Sequence, residues 1–264
     1  MKKIILMFNG TEFPQGAFDF VSNLNEIEQV LLVGAYWPHA ELSNWRNYAD
    51  NVGGMFIPMP EEPNLEDLQN NIHQFEKLCL HNGIEFRLHE GSDTFVISEL
   101  RKESQFADLV LLGSEIFHEY LEDALHELLC PVVIVPEKAL FPKSIVLAYD
   151  GSDESIFAIK QFAQLFPNFL KLETTLVYAD MHPDKDFPDK ILLEELLARH
   201  YTKLNLTKVN IDPRKYFKNW ISDNNSIILV CGSYGRSAIS LLIKHSFIRD
   251  LINEHQFPIF IAHK

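Results

Sequence analysis

The residues best suited to chemistry lie in one stretch, Ile227-Ile228-Leu229-Val230-Cys231-Gly232-Ser233-Tyr234-Gly235-Arg236-Ser237, followed by Lys244-His245-Ser246. Five apolar residues in a row, ended by Gly, Ser and Gly, predict a buried strand that delivers a polar tip to a loop. In that tip, Gly232 and Gly235 let backbone N–H groups come close to a ligand beside Ser233, and Arg236 and Lys244 add positive charge. This is the make-up of a phosphate cradle. Ser246 opens a predicted helix, where its hydroxyl and the free N–H groups of the first turn form a further anion site. A second candidate is Asp150-Gly151-Ser152, which ends the apolar run from Ile145 to Tyr149. An ordinary strand-to-helix turn, with Ser152 or Asp153 as the helix cap, explains the same three residues without a ligand.

Catalytic signatures are missing around these residues. The chain has no Gly-x-x-x-x-Gly-Lys, no Gly-x-Gly-x-x-Gly after a strand and no Gly-x-Ser-x-Gly elbow. Nucleotide hydrolysis needs a metal-holding carboxylate and a positioned water, and Asp150 is the one candidate for the first. The expectation is therefore a protein that is not an enzyme, with weak hydrolysis of a bound phosphate compound as its outer limit. The eleven histidines include no His-x-x-x-His pair and the three cysteines no Cys-x-x-Cys, so neither a structural metal nor a disulfide framework is expected.

The elements that must position the candidates come from an internal repeat. Lys3-Ile4-Ile5-Leu6-Met7-Phe8-Asn9-Gly10-Thr11 matches Ser144-Ile145-Val146-Leu147-Ala148-Tyr149-Asp150-Gly151-Ser152. Val110–Ser114 likewise matches Leu229–Ser233, and Pro131–Val135 matches Pro258–Ala262, in the same order. The first copy predicts helices at 15–23, 66–82, 95–104 and 118–129, with strands at 3–8, 30–35, 85–89, 109–113 and 132–135. The second predicts helices at 154–165, 189–201, 213–222 and 246–253, with strands at 144–149, 172–178, 205–209, 227–231 and 259–262. Strands rich in Val, Ile and Leu that alternate with helices indicate βαβ units on a parallel sheet covered on both faces. The domains are expected at residues 1–136 and 143–264, joined by a linker too short to be a free tether. A long connection from Tyr36 to Asn64, with Trp37, Trp45 and four prolines, reads either as an apolar flap packed over the first domain or against a partner, the favoured reading, or as a ligand lid.

The tip and its spacing resemble the glycine motif of the universal stress protein family, Gly-x-x-Gly, nine residues, then Gly-Ser or Gly-Thr. Nine residues after Gly235 comes His245-Ser246, with histidine in place of the third glycine. Asp150-Gly151-Ser152 and Cys130-Pro131-Val132 resemble the family at two further points, and the likeness covers the whole chain as two copies. It implies an α/β protein of two tandem doubly wound parallel five-stranded sheets, strand order 3-2-1-4-5, paired through their last strands. It also implies a ligand site between strands 1 and 4. Carried over residue by residue, Asp150 would lie near a nucleoside and the backbone at Val177 and Tyr178 near adenine. Gly232, Gly235 and Ser246 would hold phosphates. The resemblance thus implies ATP or another adenine nucleotide, with Mg2+ beside it, in the second domain only, and a stress-response regulatory role.

The first copy departs from this pattern. Gly113 to Pro131 spans eight residues fewer than Gly232 to Pro258, Asn9 replaces the aspartate, and Glu115 and Glu119 stand where phosphates would lie. Residues 1–140 carry 8 Lys and Arg against 23 Asp and Glu, whereas residues 141–264 carry 15 against 14, within a total of −14. The first domain is expected to bind no nucleotide and to pair with the second. Neither half looks like a nucleic-acid binder. No apolar run reaches the ~20 residues of a membrane helix, and the five apolar residues between Lys3 and Asn9 are too few for the core of a leader, so a cytoplasmic location is expected. Expected partners are the nucleotide, the sister domain and a second chain in a homodimer. The alternative is a protein-interaction module of the same fold that takes no nucleotide.

Overall fold

The computed structural model of the 264-residue chain describes residues 1–8, 12–36, 65–91, 96–113, 127–179, 186–209, 226–232 and 257–262. The predicted helices at 118–129, 213–222 and 246–253 and the 36–64 connection fall wholly or almost wholly outside these residues. The chain separates into two compact units, Met1–Leu129 and Cys130–Lys264.

In the first unit, β1 (Lys2–Phe8), β2 (Val30–Tyr36), β3 (Glu85–Glu90) and β4 (Leu109–Gly113) form parallel pairs in the order β3-β2-β1-β4. Among the described residues, the helices between them are α1 (Gln15–Ile27), α2 (Leu65–His81) and α3 (Val96–Ser104). Ile4 to Phe8 are fully buried, as expected of a central parallel strand covered on both faces. Gly34 on β2 sits where a Cβ would stand 2.8 Å from the Phe75 ring of α2, so glycine lets that ring rest on the sheet. Helix α1 runs one turn beyond its predicted end because buried Leu24 continues the face of Ala17, Phe20 and Val21.

In the second unit, β6 (Ser144–Tyr149), β7 (Glu173–Ala179), β8 (Lys203–Val209), β9 (Ile227–Gly232) and β10 (Ile259–Ala262) form parallel pairs in the order β10-β9-β6-β7-β8. Counted within the copy, this is 3-2-1-4-5, the order expected. Strand β5 (Val132–Val135), which closes the first copy in sequence, falls in this unit and runs antiparallel to β10, with Phe260 opposite Val133. The last strands of the two copies are therefore paired. Helix α4 (Asp153–Leu165) buries Ala158, Ile159 and Phe162, and α5 (Lys190–His200) buries Leu193 and Leu197. Phe162 meets Phe260 edge-on at 5.3 Å, and Tyr201 donates its hydroxyl to the Ile159 carbonyl at 3.2 Å.

Candidate functional site

The site begins with a parting of strands. β6 pairs with β9 from Ser144 opposite Ile227 to Leu147 opposite Val230, and no further. Yet β6 stays with β7 as far as Tyr149 opposite Tyr178, and β9 stays with β10 as far as Gly232 opposite Ala262. The two strands at the reversal point of the sheet thus separate at their carboxyl ends, where open α/β sheets take ligands. Asp150 follows directly on β6, and Gly232 ends β9.

Asp150 is held by the turn after it. Its Oδ1 accepts the Ser152 N–H at 2.8 Å and the Ser152 hydroxyl at 2.5 Å. Ser152 is the cap of α4, its Oγ accepting the Ser155 N–H at 3.1 Å, and Ser155 returns a hydroxyl bond to the Ser152 carbonyl at 2.9 Å. Between them Gly151 adopts φ +81, a conformation side chains disfavour, and a Cβ there would also strike the Pro188 ring at 2.8 Å.

Val177 is fully buried, and Tyr178 is 6% exposed. The Tyr178 ring lies 6.2 Å from Tyr149 and 5.4 Å from Phe187, and the Tyr149 hydroxyl donates to the Pro188 carbonyl at 2.8 Å. Residues Asp186 to Asp189 thereby form a short strap packed on the ends of β6 and β7. Burial pushes the Tyr149 phenol above its ordinary range, and the nearby carboxylates of Asp189 and Asp150 push the same way. Within the strap, Asp186 accepts the Phe187 N–H at 2.8 Å and the Lys190 ammonium at 3.3 Å, and these bonds hold its carboxyl low. The strap is a feature that sequence reasoning missed. Its one signal is Phe187-Pro188, an aromatic next to a proline in a connection rich in aspartate.

Gly232 answers to a neighbour that the sequence could not show. A Cβ there would stand 2.4 Å from the carbonyl carbon of Glu154 and 2.8 Å from the Ser155 nitrogen, so the first turn of α4 rests against this residue. Asp150, Val177, Tyr178 and Gly232 therefore gather at the carboxyl ends of β6, β7 and β9. Ser233, Gly235, Arg236, Lys244, His245 and Ser246 lie outside the described residues. Among the described residues no group of three His, Cys, Asp or Glu is placed to hold a metal ion.

The first unit closes the same place differently. Phe8 stands where the repeat puts Tyr149, and its ring meets Tyr36 at 5.9 Å, Phe13 at 5.9 Å and Phe75 at 5.5 Å. β1 leaves β4 after Leu6 opposite Leu111, but these rings crowd the end of β1.

A universal stress protein from Archaeoglobus fulgidus DSM 4304 matches the whole of this chain over 96% of its own length, with a TM-score of 0.70 at 16% identity. The chain has the universal stress protein fold, in tandem. A further universal stress protein, from Pseudomonas aeruginosa UCBPP-PA14, matches the whole chain over 93% of its own, at TM-score 0.56 and 8% identity. A functionally unknown protein from Pseudomonas aeruginosa PAO1 does so over 92%, at TM-score 0.55 and 12% identity. No family model matches the sequence, and no curated protein does. The universal stress fold is thus carried here at identities where it speaks for backbone arrangement alone. No described helix is long and apolar enough to cross a membrane.

Proposed function

We propose that the chain is a stress-response regulatory protein whose second unit takes an adenine nucleotide, ATP with Mg2+ being the expected form, between the ends of β6 and β9. The observation that carries this reading is the loss of β6–β9 pairing beyond Leu147 and Val230 while both strands continue in their other pairings. Asp150 would stand by the nucleoside and would be the carboxylate offered to a metal carried by the phosphates. The backbone of Val177 and Tyr178 would border the base, and Gly232, Ser233, Gly235, Arg236 and Ser246 the phosphates. The fit of the described half is partial. The strand gap beside Asp150 supports the reading, whereas Phe187 on the face of Tyr178 and the α4 backbone beside Gly232 take up room that the ligand would need. Nucleotide occupancy would change the surface offered to partners, and no chemical step is assigned. The first unit, with rings packed at the end of β1, would take no nucleotide and would serve the pairing of the two copies. A cytoplasmic homodimer is the assembly in which this reading would operate.

Calorimetric titration of the full chain with ATP and ADP tests the proposal, together with mass spectrometry of any ligand that co-purifies. Binding that is weakened by Asp150→Ala and by Gly235→Val supports it. Failure of both nucleotides to bind overturns it.

One observation favours a second reading, a protein-interaction module that takes no nucleotide. Tyr149 is 1% exposed and Tyr178 6%, so the end of the sheet is already filled by the protein's own side chains. The same titration separates the two.

A further inference from the structure

The strap over β6 and β7 is held down by packing and a hydrogen bond and opposed by a left-handed backbone at Asp189. We propose that residues Asp186 to Asp189 form a gate over the base end of the second-unit site, with the Tyr149 hydroxyl as its catch; the inference rests on the nucleotide reading above. Three contacts hold the strap shut. The Pro188 carbonyl accepts from Tyr149, the Phe187 ring lies on Tyr178, and the Pro188 ring fills the space that the missing side chain of Gly151 leaves. Two of these use Tyr149, the last residue of β6, and Tyr178, the residue before the end of β7, where the base would be admitted.

The closed position carries its own opposition. Asp189 sits at φ 47, ψ 37, a left-handed conformation that is costly for a residue with a Cβ. It is also the cap position of α5, yet its side chain makes no capping bond. Aspartate is among the best helix caps, and it caps from the extended region that Asp189 does not occupy here. Swinging the strap outward would let Asp189 relax to extended backbone and accept from the first turn of α5. The open form thus gains a cap and loses a strained residue, while the closed form keeps a hydrogen bond and a ring contact. Losses and gains of this kind are similar in size, the condition for a segment that a ligand can move.

The test uses the full chain and two variants that push in opposite directions. Tyr149→Phe removes the catch but keeps the ring, and phenylalanine already stands at the matching place, Phe8, in the first unit. Asp189→Gly removes both the strain of the closed form and the cap of the open one. Hydrogen exchange of the peptide spanning 186–193 reads the strap without any ligand, and calorimetry with ATP reads the gate. Tyr149→Phe should raise strap exchange and ATP affinity, each by up to about tenfold, the worth of one such hydrogen bond. Asp189→Gly should lower both. Strap exchange that is the same in Tyr149→Phe and wild type overturns the catch, and ATP binding with equal affinity in all three proteins overturns the gate alone. Absence of ATP binding in all three overturns the nucleotide reading, and the gate with it.

Discussion

The end of β9 and the start of α4 meet at Gly232 and Glu154, where a Cβ on the glycine would lie 2.5 Å from the glutamate carbonyl oxygen. Backbone of a capped helix cannot give way as a side-chain tip can, so Gly232→Ala should destabilise the protein with no ligand present, by about 1–3 kcal/mol. Urea denaturation without nucleotide measures this. An unchanged midpoint would mean that the glycine serves ligand approach only.

Ser152 serves two neighbours at once, capping α4 through Ser155 and donating to Asp150. Ser152→Ala should cost about 1 kcal/mol, the usual loss for a helix cap. Ser152→Asn, which keeps an acceptor, should recover most of it in thermal melts. Equal melting of all three proteins would remove the capping role.

Phe75 is fully buried and touches the rings of Phe8, Phe18 and Phe86 at 5.5, 6.4 and 5.7 Å. Phe75→Ala should cost about 3–5 kcal/mol. Hydrogen exchange should show the loss in peptides of β1 and β2, with β6 and β9 keeping their protection. Loss spread equally over both units would contradict the placement of this ring in a core of its own.

Burial pushes the thiols of Cys79 and Cys231 from near 9 up to about 12, with Glu76 adding to the first. Because the folded values lie above the unfolded ones, this contribution to stability is complete below about pH 9 and is lost as pH rises toward about 12. Two outcomes follow: both thiols should resist iodoacetamide at pH 8 until urea is added, and the melting temperature should fall across that alkaline window. Rapid labelling of either thiol in the folded protein would show that its burial is incomplete.

The strands are the most legible part of the sequence. β5 and β10 begin and end where their apolar runs predict, because a strand covered on both faces has no reason to contain a polar residue. β8 starts at Lys203, two residues before its predicted start, since exposed, charged Lys203 hides the strand pattern at its beginning. The short 3-10 turn at Phe169–Lys171 leaves no periodic trace and was not foreseen. At the site, the repeat matches Asp150 and Gly232 to Asn9 and Gly113 of the first copy, and it is the family resemblance, through its strand order, that puts the two at neighbouring strand ends. What occupies the space beside them was not legible. Gly232 looks the same in sequence whether a phosphate or a helix lies against it, and Phe187-Pro188 reveals its position only once the chain has turned back over β7.

The antiparallel pairing of β5 with β10 bears on how the molecule can be taken apart. A fragment starting at Lys143 would hold a whole sequence repeat yet lack Val132–Val135, leaving one side of the fully buried Ile259–Ala262 without backbone partners. A bare apolar edge of this kind recruits other strands. The readiest substitute is the same strand from another fragment, so the excised half should self-associate through it, and an oligomer formed that way would report on the cut rather than on the intact chain.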